Sequence, residues 1–425
     1  MEYRKFEYPS FNLYTVKTNR FKTCQMEIIF QDQADRKNVM LKTFLADLMT
    51  DCSDLYPTRK DVARTLEELY QASFYGLTNK SGNLMMTSFV LNFLNPKYVS
   101  EEHYIDRVLE LPFEMILNPA IYAKEFDIKN FNVVKNRLYD EILSVGENIN
   151  RVSLKKALSE LDETSPTSYG VLGTTQELEE ITPRKLADAY QDLIHSRCDI
   201  YLIGDLDMDE VANLIFKYFK NPVVKTKDLP CLYVDNKASK RVKKVKEESN
   251  FLETNLVQIY SLEDLTEKER ITTFHFYNYL FGGGGLNTKL YQLLREKNSL
   301  CYGVKSMYLK YDNLLVVQTS ISKKDVLKAQ RLIRQALKEM KMGDFRDEEL
   351  NNAKESFIFS LNLSLDQPGG ILNNYVFHVL DHLPFIEERI KMIEEVTKEE
   401  IVAVANKIKP LISFVLEGEE KHGEN

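Results

Sequence analysis

Between residues 118 and 145 the apolar positions recur at three- and four-residue spacing. Phe131, Val134, Leu138, Ile142 and Val145 follow Asn118-Pro119 and predict a long amphipathic helix. The stretches 326–340 and 348–363 carry the same period and predict two more helices. Apolar runs of strand length alternate with them, most clearly at 84–93, 198–204, 313–322 and 411–418. The order predicts a unit of one strand, two helices, a hairpin of strands, two or three helices and a closing strand. Such a unit is an α+β fold, an antiparallel sheet with helices packed on one face.

The unit occurs twice. Glu179-Glu180-Ile181-Thr182 opens a helical segment that leads into 198–204, and Glu394-Glu395-Val396-Thr397 opens one that leads into 411–418. A threonine stands at the expected N-cap each time. Thr397 with Glu400 predicts a capping box, whose side chains satisfy first-turn amides that have no partner within the helix. Ala72-Ser73-Phe74-Tyr75-Gly76 answers Ser299-Leu300-Cys301-Tyr302-Gly303, and a β-rich run follows each. Two homologous domains are therefore expected, at 1–225 and 251–425. The linker between them, 226–250, holds a basic cluster of Lys237, Lys240, Arg241, Lys243, Lys244 and Lys246 that is expected to be solvated.

A chain of 425 residues exceeds what one core organises, and 44% hydrophobic content suffices for two. The net charge of -8 disfavours nucleic acid as the main partner. The N-terminus has no apolar signal region, and no uncharged apolar run reaches about 18 residues, so neither secretion nor a membrane span is expected. The cytoplasm is the expected compartment. Cys24, Cys52, Cys198, Cys231 and Cys301 are scattered without a C-x-x-C pair and are expected as buried small hydrophobes.

Candidate chemistry lies in the second half. Gly282, Gly283, Gly284 and Gly285 precede a helix that carries Arg295, and Tyr302 stands seven residues after that arginine. Glycines let a backbone approach without Cβ collisions. A guanidinium and a phenol can hydrogen-bond a peptide carbonyl and stabilise developing oxyanion charge. Taken alone, the glycines read as a turn before a helix and the arginine as a solvated charge. The phosphate-loop pattern G-x-x-x-x-G-K-[ST] is not met, because Lys289 follows Thr288 with no glycine before it. His378 and His382 stand at i and i+4, a zinc-like spacing, but Leu383-Pro384 ends the helix there and a helix-end pair is expected. His103, His195, His275 and His422 show no ligand spacing.

The order of elements, the repeat, the glycine loop and Arg295-Glu296-Lys297-Asn298-Ser299-Leu300-Cys301-Tyr302, read as R-E-K-x-x-L-x-Y, together resemble the pitrilysin and insulinase (M16) family of zinc peptidases. The resemblance covers nearly the whole chain and implies that the two domains form a clam-like enclosure. It further implies an inverted zinc motif, H-x-x-E-H, in the first domain, with a glutamate ligand downstream. In that motif two imidazoles on one helix face hold the metal and the glutamate acts as base on zinc-bound water. Aligned on Met49, the first histidine falls on Phe44, the glutamate on Asp47 and the second histidine on Leu48. The downstream helix, F-x-x-E-K-x-x-L-x-x-E-I in the family, runs here from Phe131 to Ile142, so the third ligand becomes Val134 while Glu141 is kept.

Donor atoms are thus missing from all three ligand positions, and no zinc is expected on this chain. Phe44, Leu48 and Val134 are expected as core. By the same resemblance no residue here is catalytic alone. Arg295, Tyr302 and the four glycines would hold an unfolded peptide bound as an added strand, beside zinc supplied by a similar bacterial chain with an intact H-x-x-E-H. The alternatives are a peptide-binding scaffold or chaperone-like protein, a homodimer that only binds peptides, and a metallopeptidase that uses His378 and His382.

Overall fold

A computed structural model of the chain describes residues 1–219, 229–237 and 241–419. Within them are two compact units, each built on its own sheet. The first unit takes Met1–Leu143, Gly170–Leu232 and Ser364–Leu380, and the second takes Ser144–Tyr169, Tyr233–Leu363 and Asp381–Asn425.

The chain begins with β1 (Glu2–Glu7), β2 (Asn12–Lys17) and β3 (Thr23–Gln33), then α1 (Arg36–Asp51) and α2 (Arg59–Glu68). The hairpin β4 (Ser73–Ser81) and β5 (Leu84–Leu94) leads to α3 (Tyr104–Leu117), the ribbon β6 (Ile121–Tyr122) and β7 (Glu125–Phe126), and α4 (Ile128–Gly146). After α5 (Ile149–Ser159) come α6 (Thr175–Glu179), α7 (Pro183–Ile194), β8 (Arg197–Gly204) and α8 (Met208–Tyr218). The later elements are β9 (Lys243–Glu248), β10 (Thr254–Leu262), α9 (Phe274–Asn278) set between two π-helical turns, and α10 (Lys289–Tyr291) running into another. The hairpin β11 (Val304–Leu309) and β12 (Leu314–Ile321) follows, then α11 (Val326–Lys341), α12 (Asp347–Ser364), α13 (Pro368–Asp381), α14 (Ile386–Glu394), α15 (Lys398–Asn406) and β13 (Ile408–Glu417).

The strand order is β1-β2-β8-β3-β5-β4 in the first sheet and β11-β12-β10-β13-β9 in the second. Reversed, the second order superimposes on the first strand for strand, with β1 as an addition. β8 lies parallel to β2 and antiparallel to β3, as β13 lies parallel to β9 and antiparallel to β10. The threonine caps also match the expectation: Thr182 accepts from the Lys185 amide at the start of α7, and Thr397 with Glu400 forms the capping box of α15.

β9 arises from the stretch expected to be a linker. Its lysines sit on a strand because each of two finds a carboxylate across the sheet's faces: Lys243 lies 2.8 Å from Glu160 and Lys246 lies 2.6 Å from Glu417. Residues 226–228 and 238–240 of that stretch, Lys240 among them, fall outside the described residues.

Neither unit is continuous in sequence. α5, from the first half of the chain, lies in the second unit, and most of α13 lies in the first. Every residue of β10 is buried, as it must be when helices cover both faces of its sheet. On one face Leu256, Leu315, Val317 and Val415 pack with Phe274, Ile333 and Val404. On the other, Val257, Ile259, Val316 and Phe414 pack with Ala157 of α5. The expected layer of helices on one face is present, and α5 adds a second cover. In the first unit Tyr14 and Tyr201 stack at 4.9 Å, and Tyr375 of α13 meets them edge-on at 5.6 and 6.1 Å.

Four of the cysteines are buried as expected, but Cys231 is exposed. No helix among the described residues is long and apolar enough to cross a membrane.

Candidate functional site

The positions of the expected degenerate zinc motif lie on α1 and α4. α1 starts where the Asp35 side chain accepts from the Lys37 amide, and it buries Phe44, Leu45, Leu48 and Met49 on one face. Phe44 is fully buried and stacks on Phe131 of α4 with ring centroids 4.8 Å apart. Leu48 and Val134 lie in the same core cluster, so all three positions where the resembled motif has ligands are packing positions, as expected.

Asp47, at the place of the family's base, is also occupied. Arg137 of α4 donates Nη2 and Nε to one Asp47 oxygen at 3.0 and 3.2 Å, and Nη1 to Asp51 at 2.8 Å. Burial pushes the Asp47 carboxyl up, and Arg137 offsets this only in part. The guanidinium thus occupies one Asp47 oxygen and pairs its charge in a structural contact between α1 and α4. Glu141 is exposed on α4. Among the described residues no group of three or more His, Cys, Asp or Glu side chains could hold a metal ion.

The histidine pair fails on backbone geometry. α13 ends at Asp381, and His382 takes a left-handed φ of 51°, so the two rings do not share a helix face. Asp381 between them is used otherwise: it accepts from Lys310 Nζ at 2.6 Å and from the hydroxyls of Tyr233 and Tyr311 at 3.1 and 3.2 Å. His275 is held neutral by burial, with its imidazole pushed down to about 4, and it lies edge-on to Tyr308. His195 Nδ1 lies 2.6 Å from the Gln191 carbonyl oxygen, His103 precedes α3, and His422 falls outside the described residues.

The glycine run differs from the expected loop. Gly282 and Gly283 form the last π-helical turn of the segment before it, and packing explains why neither carries a side chain. A Cβ on Gly282 would lie 2.7 Å from Leu290 Cδ1 and 2.9 Å from the Ser306 backbone nitrogen, so this helix end could not sit so close to β11. On Gly283 a Cβ would meet Asn278 Nδ2 at 2.5 Å, and on Gly284 the Tyr279 carbonyl oxygen at 2.6 Å. Gly285 faces open space, with φ +89° turning the chain into the Thr288 cap of α10.

Arg295 lies in the π-helical turn Gln292–Glu296 that extends α10. Just beyond it Ser299 adopts φ 50° and its amide donates to the Arg295 carbonyl at 3.0 Å, while the Leu300 amide donates to Leu294 at 2.9 Å. This reversal carries Tyr302 back toward Arg295, whose guanidinium carbon lies 5.8 Å from the phenol ring centroid. It also keeps Leu300 to Gly303 out of the ladder, whereas their expected counterparts Ser73 to Gly76 are strand residues of β4. The Tyr302 side chain is 89% exposed, and Arg295 has no ion-pair partner among the described residues.

Beside Tyr302 is a groove of about 420 Å³ lined by Asn150, Glu253, Lys305, Gln318 and Thr319. β11 forms one edge of the sheet here, so its outer backbone groups have no strand partner. Gln318 donates to the Asn150 carbonyl at 2.7 Å and to Asn255 Oδ1 at 3.0 Å, while its own Oε1 is buried without a partner. Sequence reasoning missed this polar seam. Its one signal was amides inside otherwise apolar strands, Asn255 in β10 and Gln318 in β12.

Known proteins resemble the chain in sequence and fold. A family model described as the peptidase M16 inactive domain matches residues 180–357. The chain is thus similar to M16 peptidases over that segment. It is 25% identical over 421 residues to the probable inactive metalloprotease YmfF of Bacillus subtilis, covering 98% of each chain. A conserved protein from Enterococcus faecalis has a similar crystal structure, with a TM-score of 0.92 at 25% identity over 97% of this chain and 98% of that one. The fold also matches a peptidase M16 inactive domain from Pseudomonas fluorescens, with a TM-score of 0.79 at 15% identity over 99% and 98% of the two chains. Alongside these similarities, the first unit buries Phe44, Leu48 and Val134, and the second carries Arg295 beside the exposed Tyr302.

Proposed function

We propose that this chain is the zinc-less subunit of a two-chain peptidase. A similar chain with an intact H-x-x-E-H supplies the metal, and Arg295 and Tyr302 of this chain hold the peptide carbonyl at the scissile bond. The observation that carries the reading is the contrast between the two halves. Phe44, Leu48 and Val134 are sealed into core, while the Tyr302 phenol stands in solvent beneath a guanidinium with no carboxylate to neutralise it. A buried stability role would have consumed these groups. Chemically they are donors aimed outward, suited to a carbonyl oxygen that gains negative charge. The groove beside Tyr302 and the free edge of β11 support a peptide lying as an added strand.

The test is peptide hydrolysis by the assembled pair with Arg295→Ala or Tyr302→Phe in this chain. Each lost donor is expected to lower the turnover number about a hundredfold, equivalent to about 2 to 4 kcal/mol of transition-state stabilisation, with unfolding unchanged. Full hydrolysis by both variants would overturn the substrate-holding role and favour a scaffold that binds peptides without taking part in cleavage.

A further inference from the structure

Away from the Tyr302 groove, the second unit has another cavity of about 420 Å³, under α11 and against β9, β10 and β13. Its floor is apolar, made by Tyr260, Leu337, Ile408, Pro410 and Ile412. Its rim is cationic. Lys244 contributes from β9, and Arg334, Lys338 and Lys341 stand at i, i+4 and i+7 along one face of α11. None of these four has an ion-pair partner among the described residues, although the chain as a whole carries a net charge of -8. The acidic residue nearest them on α11, Glu339, is drawn away by Lys289 at 3.4 Å and by Gln335 at 2.8 Å. Burial, and then repulsion from Lys409, holds the Lys341 ammonium below the usual lysine range.

The polar groups inside the cavity point the same way. Tyr260 donates its hydroxyl to Gln258 Oε1 at 2.7 Å, which uses the amide oxygen and leaves the amide nitrogen to donate. Gln330 Nε2 donates to Ser413 Oγ at 3.1 Å, which leaves the serine proton for another acceptor. No carboxylate lines the cavity. Unneutralised cations grouped this closely repel one another, and a bound anion relieves that repulsion while an apolar body covers the floor.

We propose that this cavity is a binding site for a small amphipathic anion, an apolar chain or ring that bears a carboxylate or phosphate head. The body lies on Tyr260, Leu337, Ile408 and Ile412, and the head meets Arg334, Lys338 and Lys341. The site is separate from the Tyr302 groove and does not depend on the peptidase reading.

Calorimetric titration of the full chain with octanoate, octyl phosphate, 1-octanol and inorganic phosphate tests it. One octanoate or octyl phosphate is expected to bind per chain, with 1-octanol and inorganic phosphate each at least tenfold weaker. The double variant Arg334→Glu, Lys338→Glu is expected to weaken the anions at least tenfold with an unchanged circular dichroism spectrum, because both side chains are exposed. The Arg334→Gln, Lys338→Gln pair serves if the charge reversal disturbs folding. Absence of saturable binding by either octyl anion would overturn the proposal. So would equal binding of 1-octanol, equal binding of inorganic phosphate, or no effect of both double variants.

Discussion

Three residues decide what the first unit can do. Phe44, Leu48 and Val134 were legible from sequence as apolar substitutes, because a phenylalanine, a leucine and a valine offer no donor to a cation whatever their surroundings. What the sequence did not reveal was how thoroughly the place had been rebuilt: Phe44 stacks on Phe131, and Arg137 bridges Asp47 and Asp51. Contacts between α1 and α4 join residues about ninety positions apart, which no local pattern encodes. Restoring histidines therefore has a cost. The double variant Phe44→His, Leu48→His removes the ring stack and buries two imidazoles in an apolar cluster, with an expected destabilisation of about 3 kcal/mol or more in urea unfolding. Added zinc is expected to leave its melting temperature unchanged, since Val134 still denies a third ligand. A variant as stable as the parent, or one whose melting temperature zinc raises, would contradict this account of the site.

Among the elements, β9 and the glycine run were the hardest to read. β9 is rich in lysine and glutamate, so it carries neither the apolar alternation nor the aromatic content of a typical strand, and it resembled a solvated linker. It is held instead by pairing with β13 and by ion pairs. Glu417 of β13 takes Lys246 of β9 at 2.6 Å and Lys323 at 3.0 Å. Burial works against the Glu417 charge, but these two lysines outweigh it and hold the carboxyl below its usual value. A carboxylate with a depressed folded pKa contributes stability above its unfolded value of about 4.3, and that contribution is lost as pH falls through the folded value. Melting temperatures measured from pH 7 down to pH 3 should therefore fall less steeply on the acid side in Glu417→Gln than in the parent. Parallel curves would show that this cluster does not hold β9. The glycines were legible as punctuation but not as packing, because a close approach to Leu290 and Ser306 is a tertiary fact.

At the scale of the molecule, the repeat was the most legible feature. Two threonine caps and two closing strands recurred in order, and the five-strand topology does occur twice. The exchange of α5 and α13 between the units was not legible, since an amphipathic pattern shows that a face is buried without showing which sheet buries it. The exchange has a consequence for folding. Residues 1–225 alone lack α13 and leave the Tyr14 and Tyr201 face bare, and residues 251–425 alone lack both β9 and α5. Each half expressed separately is expected to lose its near-ultraviolet circular dichroism and cooperative melting, while the full chain keeps both. Cooperative unfolding of either isolated half would refute that dependence. The central claim is that this chain completes a metal site it does not itself contain. Its most direct test is cleavage of a quenched fluorescent peptide by the zinc-bearing partner as this chain is titrated in. The account predicts negligible hydrolysis by either chain alone with zinc present, and a rate that rises with added chain to a plateau at one-to-one stoichiometry. Full activity of the partner alone, or zinc-dependent cleavage by this chain alone, would contradict it.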